Sequence, residues 1–246
     1  MWRRGDMIPA MPSVALIIPA LDEEQSLGRV LEELPAGLFD QILVVDNGSR
    51  DHTAEVARSK GADVVREPRR GYGQACLAGI AQLAATTEIV VFMDADASDV
   101  PAEAARLVEP IASAAADLVI GSRALGTREP GSLTPQQRIG NWLATRLIRL
   151  LYGYSYTDLG PFRAVRLGSL RALGLRDRNF GWTVEMQVRA LQAGLRVREV
   201  PVSYRKRIGH SKISGTVRGT LLAGTKILWT IVRLWLWQPQ RVGRLR

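Results

Sequence analysis

Short apolar, β-branched runs alternate with helical patterns through the first half of the chain, and this alternation restricts the fold more than any other feature. Val14-Ala15-Leu16-Ile17-Ile18, Ile42-Leu43-Val44-Val45, Ala62-Asp63-Val64-Val65, Ile89 to Met93 and Leu118-Val119-Ile120 read as strands. Between them Leu27, Val30, Leu31 and Leu34 recur at helical spacing, as do Ala54, Ala57 and Arg58 before Gly61, and Leu77, Ile80, Ala81 and Ala84 after Gly73. Strands that alternate with helices form a mainly parallel central sheet flanked by helices, with right-handed crossovers, so the fold class is α/β. The 246 residues suffice for one well-buried domain, and no internal repeat or low-complexity tract divides them.

Ligands bind such sheets outside the carboxyl ends of the strands, and three strands here end in acids. The first leads through Pro19-Ala20-Leu21 to Asp22-Glu23-Glu24, the second ends at Asp46-Asn47-Gly48-Ser49, and the fourth at Asp94-Ala95-Asp96. Closely spaced carboxylates at one sheet edge repel one another unless a cation or ligand sits between them. Taken alone, Asp94-Ala95-Asp96 has a plainer reading, in which one aspartate caps a helix opened by Pro101 and the other is solvated. Gly71-Tyr72-Gly73 opens the next helix, and its glycines would let backbone N–H groups approach an anion.

The net charge of +9 is not spread along the chain. Residues 1–199 hold 23 Lys/Arg against 24 Asp/Glu, whereas residues 200–246 hold ten Lys/Arg and no acid. The same tail carries Ile227, Leu228, Trp229, Ile231, Val232, Leu234, Trp235, Leu236 and Trp237. A basic amphipathic helix of this kind fits a membrane surface. It does not fit a span, because Arg218, Lys226 and Arg233 interrupt every window near the roughly 20 residues a crossing requires. The competing reading packs the helix on the core through Val217, Leu221, Leu228, Ile231 and Trp235. Cys76 is the only cysteine, which excludes an intrachain disulfide and agrees with a reducing cytosol. No apolar segment follows Met1-Trp2-Arg3-Arg4, so no signal peptide is expected, and Met7 or Met11 is an alternative start. Base-stacking and groove-reading motifs are absent, so a nucleic-acid partner is not expected.

The motifs in order, Ile17-Ile18-Pro19-Ala20-Leu21-Asp22-Glu23, Val44 to Thr53, Gly71-Tyr72-Gly73, Asp94-Ala95-Asp96, Gly121-Ser122-Arg123 and Gly209-His210-Ser211-Lys212, resemble family 2 glycosyltransferases. The likeness is strongest to the dolichyl-phosphate mannose synthase and polyprenyl-phosphate glycosyltransferase branch. It implies a GT-A fold and an inverting, metal-dependent transfer of a sugar from a UDP- or GDP-sugar to a lipid phosphate. By this resemblance Pro19, Leu21, Glu23, Asp46, Asp94 and Ala95 would contact the nucleotide, and Asp96 with Ser98 would hold Mg²⁺ or Mn²⁺. Lys206, Arg207 and Lys212 would face the diphosphate. Relatives place an arginine where Lys206 stands, so which of Arg205, Lys206 and Arg207 reaches it stays open. Arg123 and Arg138 would lie near the acceptor phosphate.

A lipid phosphate needs little general-base help, whereas a hydroxyl acceptor would need a base, for which Glu185 with Asp158 behind it is the candidate. Asp158 and Arg163 are otherwise acceptor contacts or a structural ion pair. His52 and His210 read as turn and surface residues. The expected organisation is a loose N-terminus (1–12), a transferase domain (13–212, with a nucleotide-sugar half to 123 and an acceptor half from 124), and a basic amphipathic helix with its tail (213–246). The expected setting is cytoplasmic, peripheral at the inner face of the membrane, in cell-envelope glycan synthesis, with a homo-oligomer left open. The alternatives are transfer to a soluble or polysaccharide hydroxyl and a noncatalytic nucleotide-sugar-binding subunit.

Overall fold

Alternate residues of each central strand enter opposite cores. Leu16, Ile18, Val44, Val91 and Val119 pack on one face of the sheet, and Ile17, Leu43, Val45, Val90 and Phe92 on the other. That two-sided burial is why these strands read as continuous apolar runs. The computed structural model describes residues 12–209 and 217–237, so Lys212 and His210 lie outside the described residues. The elements in chain order are β1 (Val14–Ala20), α1 (Glu24–Glu32), β2 (Gln41–Asp46), α2 (Thr53–Ser59), β3 (Asp63–Arg66), α3 (Tyr72–Ala81), β4 (Ile89–Phe92), α4 (Ala104–Ala112) and β5 (Leu118–Ser122). There follow α5 (Pro135–Tyr152), β6 (Arg163–Arg166), α6 (Leu167–Leu173), α7 (Trp182–Gln192), β7 (Val197–Pro201) and α8 (Val217–Leu236).

The seven strands form one sheet in the order β3-β2-β1-β4-β6-β5-β7. Four of the six neighbour pairs are parallel, and β6 runs antiparallel to both β4 and β5. The sheet is therefore mainly parallel, with one reversed strand inserted beside β4. β1, β2 and β4 lie side by side and end at the same edge, which brings the three acidic segments together. Leu27, Val30, Leu107 and Ile111 of α1 and α4 cover one face, while α3, α5, α6, α7 and α8 cover the other.

The helix α5 has the clearest boundaries. Thr134 and Gln137 form a reciprocal capping box, Pro135 takes the first turn, and Gly153 closes the end at φ 73°. α8 packs on the core and leaves part of its apolar surface outside. Ile231 and Leu234 are buried, Ile227 and Leu228 pack beside them, and Tyr152 Oη donates to Ile231 O at 2.9 Å. Trp229 and Trp235 face outward at 57% and 44% exposure, so Trp235 leaves the expected packing stripe and Leu234 takes its place.

Candidate active site

Each acidic segment turns sharply as it leaves its strand. Asp22 (φ 52°) and Ala97 (φ 61°) adopt the left-handed region, which costs a non-glycine residue about 1–2 kcal/mol. The turn at Ala97 brings Ser98 back onto Asp96: the Ser98 amide donates to Asp96 Oδ1 at 2.9 Å, and its hydroxyl donates to the same oxygen. Neither aspartate caps a helix, because the 3₁₀ turn at Pro101–Glu103 and α4 both start without a side-chain cap. The plain capping reading of the pair is thereby excluded.

These turns border a cavity of about 340 Å³. Pro19 and Ala20 contribute from the end of β1, Leu21 and Glu23 from just beyond it, Asn47 from just after β2, Arg70 to Tyr72 and Ala75 from around the start of α3, and Asp94 to Asp96 from the turn after β4. Asn179 and Phe180, before α7, and Arg207, after β7, close the other side. Arg207 reaches Asp96 Oδ2 at 3.0 Å and Glu23 Oε1 at 3.5 Å. Its position follows from the backbone: Arg205 N donates to Ser98 O at 2.8 Å and Ile208 N to Asp96 O at 2.9 Å, which lays this loop along the Asp96–Ser98 turn.

Two carboxyls at this edge are held above the ordinary carboxylate range. Burial, and then the charge of Asp96, push the Asp94 carboxyl up to about 7. Burial, and then the charges of Asp94 and Asp96, raise Asp99 as well, and its Oδ1 has no hydrogen-bond partner among the described residues. Asp99 was not singled out in the sequence, although it stands three residues beyond Asp96.

Several sequence expectations need correction. Asp46 does not line the cavity. Its Oδ1 accepts from Ser49 N at 2.8 Å, and the following Asn47 is the lining residue. Asn47 donates to Glu67 O and Arg69 O and accepts from Gly71 N, so it shapes the Glu67–Gly71 segment and occupies that amide. Gly71 and Gly73 are demanded by packing rather than by an anion: a Cβ on either would overlap the carbonyl of Arg178 or Asp177. Of the three adjacent cations, Arg205 forms a two-pronged pair with Glu33 at 3.0 and 2.8 Å, and Lys206 is exposed and does not line the cavity.

Glu185 is fully buried and accepts from Arg176 N at 2.9 Å, Asp177 N at 2.7 Å and Arg189 Nε at 2.9 Å. It is a loop-holding carboxylate and not a base. Asp158 pairs with Arg123 at 2.7 Å through both prongs, not with Arg163, and Arg123 also lies 5.0 Å from the Tyr204 ring. Burial alone would raise Asp158 and disfavour the Arg123 charge, but their mutual attraction dominates and holds both ionised. Arg163 has no exposed surface and donates to the carbonyls of Gly160, Pro161 and Thr183, so it is removed from the acceptor contacts. Arg138 lies exposed on α5. Asn141 of α5 donates to Thr157 O and accepts from Leu159 N, anchoring the loop that carries Asp158.

The profile of glycosyl transferase family 2 matches residues 15–174. The chain belongs to that family. An uncharacterised glycosyltransferase of Mycobacterium tuberculosis is 42% identical over 214 residues, covering 86% of this chain and 94% of the relative. The undecaprenyl-phosphate mannosyltransferase of Micrococcus luteus is 31% identical, covering 94% of this chain and 99% of that protein. Among solved structures, glucosyl-3-phosphoglycerate synthase from Mycobacterium tuberculosis, in complex with Mn²⁺, UDP and glucosyl-3-phosphoglycerate, superposes with a TM-score of 0.72 at 20% identity. It covers 95% of this chain and 86% of the other. That likeness establishes the GT-A fold. The family 2 chain is thus a nucleotide-sugar-dependent glycosyltransferase, and its acid-lined cavity stands where the ligand edge of an α/β sheet lies.

Proposed function

We propose that this glycosyltransferase moves a hexosyl group from a UDP- or GDP-sugar to a polyprenyl-type lipid phosphate at a membrane surface. The position of Asp96 between Ser98 and Arg207 carries the donor half of the reading. The residues present suit a divalent cation: Asp94, Asp96 and Ser98 offer hard oxygen ligands, and burial beside Asp96 makes the negative charge of Asp94 costly. Among the described residues no cluster of three His, Cys, Asp or Glu side chains is set to hold an ion alone, so donor phosphate oxygens or water would complete its shell. A bound cation would neutralise charge on the departing nucleoside diphosphate.

The chain's own residues then act as follows. Arg207 exchanges its contacts with Asp96 and Glu23 for the diphosphate and stabilises the leaving group. Ser98 keeps Asp96 oriented through Oδ1. The glycosidic carbon passes from the β-phosphate oxygen to an acceptor oxygen with inversion, in a single displacement. Loss of Glu185 as a base favours an acceptor that is already anionic near neutral pH. The Micrococcus luteus relative and the N-acetylglucosaminyltransferase of Methanococcus voltae, whose name gives dolichyl phosphate as acceptor and which is 28% identical over 90% of this chain and 95% of its own, support the lipid phosphate. No helix among the described residues is long and apolar enough to cross a membrane, so a lipid acceptor would be met by surface docking, which the outward tryptophans of α8 suit.

The test is a screen of UDP- and GDP-sugars with Mg²⁺ or Mn²⁺ and a polyprenyl phosphate, reading nucleoside diphosphate release and a charged glycolipid. Asp96→Ala should lower turnover by about a thousandfold. No nucleotide binding and no turnover with any donor would sink the reading. Turnover with a soluble hydroxyl acceptor alone would sink its acceptor half.

A further inference from the structure

The turn between α6 and α7 is held from three directions, and one of them is the C-terminal helix. Inside the domain, the buried Glu185 carboxylate takes the Arg176 and Asp177 amides. From α3, Gln74 N donates to Arg178 O at 2.9 Å. From α8, Lys226 Nζ lies 2.9 Å from Asp177 Oδ2, and the Asp177 side chain is 1% exposed. The other Asp177 oxygen accepts from Asn179 N at 2.8 Å. One buried carboxylate therefore joins α8 to the residue pair Asn179-Phe180, which lines the cavity. The packing leaves no slack: a Cβ on Gly181 would lie 2.5 Å from Asp177 Oδ2 and 2.7 Å from Thr230 Oγ1 of α8.

We propose that Lys226 is a positioning residue for the sugar-nucleotide donor: its ion pair with Asp177 fixes the turn that presents Asn179 and Phe180, so that α8 forms part of the support of the donor site. A buried carboxylate that loses its cation is strongly disfavoured, and the strand of backbone around it moves toward water rather than keep the charge unpaired. The turn packs directly against the glycine segment of α3, whose Gly71 and Gly73 leave no room for a shift of Arg178 or Asp177 toward them. Displacement of Asp177 thus moves the turn away from α3 and widens the cavity wall. None of this touches the reacting atoms, so the effect falls on donor affinity and not on the chemical step.

The proposal rests on the cavity being the donor site. In the full chain, Lys226→Met keeps the aliphatic stem and removes the charge, and Lys226→Arg keeps the charge. UDP and GDP affinities with Mn²⁺ are measured by calorimetry, donor KM and kcat by turnover, and amide hydrogen exchange across residues 174–181. Lys226→Met should raise the nucleotide Kd and donor KM about tenfold with kcat held within about twofold, and should speed exchange in the turn. Lys226→Arg should restore most of the affinity. Unchanged nucleotide affinity in folded Lys226→Met, or a fall in kcat at constant donor KM, overturns the proposal. Where Lys226→Met does not fold, Lys226→Gln, which keeps a donor toward Asp177 Oδ2 and removes only the charge that pairs the buried carboxylate, decides: a similar loss of affinity supports the proposal and wild-type affinity overturns it. Failure of the wild-type chain to bind either nucleotide is a different result, which overturns the donor-site reading and the proposal together.

Discussion

Burial and the neighbouring Asp96 push the Asp94 carboxyl up to about 7, well above the ordinary carboxylate range. The sign of the consequence is fixed. A folded-state value raised above the unfolded one gives stability that is fully present below the unfolded value and is lost as pH rises toward about 7. A cation prefers the ionised form, so Mn²⁺–nucleotide binding should strengthen between about pH 6 and 8 and release protons at the lower end. Calorimetry in buffers of different ionisation enthalpy measures that release, and Asp94→Asn should abolish most of it. Undiminished proton release in Asp94→Asn would assign the titration to another group. The place of Asp94 and Asp96 at the cavity edge was legible in sequence because a fully apolar strand runs directly into them. That Arg207, and not Arg205 or Lys206, lines the cavity was not, since it depends on which backbone amides of that loop bond to Asp96 and Ser98. Glu185 misled for a related reason: an acid at the start of a helix reads the same whether it faces a substrate or two buried amides.

Among the elements, α3 and the α6–α7 turn are joined more closely than any side chain would permit. A Cβ on Gly73 would overlap the Asp177 carbonyl and approach Trp182 Cβ at 2.9 Å. Gly73→Ala should therefore cost about 2–3 kcal/mol in urea unfolding, as overpacked sites do, and should weaken nucleotide binding by moving the cavity wall. Gly140→Ala is the control. It lies in α5 with nothing among the described residues within 4 Å of the new methyl, and should be neutral or stabilise by up to about 1 kcal/mol. Equal effects of the two substitutions would show that helix propensity, and not the close approach, governs Gly73. Of the seven strands, β1 to β5 were visible as apolar runs. β6 and β7 were not, because Arg163-Ala164-Val165-Arg166 is four residues with charge at both ends, and Val197-Arg198-Glu199-Val200-Pro201 is a half-exposed edge. The cap signals of α5 at Thr134, Pro135 and Gln137 were present in the sequence but carry meaning only once the helix is placed.

At the scale of the molecule, charge and apolar surface are segregated in a way that the sheet does not require. The last 47 residues carry ten basic groups and no acid, while α8 packs inward through Ile231 and Leu234 and presents Trp229, Trp235 and Trp237 outward, the last at 82% exposure. α5, which packs against α8, adds exposed Ile139, Trp142, Leu143 and Leu150 beside Arg138, Arg146 and Arg149. Interfacial binding draws on both features: tryptophan rings settle at the headgroup boundary, and each basic group near an anionic surface adds about 1 kcal/mol. The joint change of Trp229, Trp235 and Trp237 to Ala should lower partition onto anionic vesicles by about tenfold or more, because it removes apolar contact and leaves the charge. The residual binding should be the more salt-sensitive, since Coulomb attraction alone remains and is screened within about a Debye length. Sedimentation with vesicles of defined anionic content measures both effects. Nucleotide affinity in vesicle-free buffer should be unchanged, because all three rings are exposed and none of them lines the cavity. Wild-type partition of the triple variant would mean that α8 is held by the core alone and that the lipid surface, if met at all, is met elsewhere.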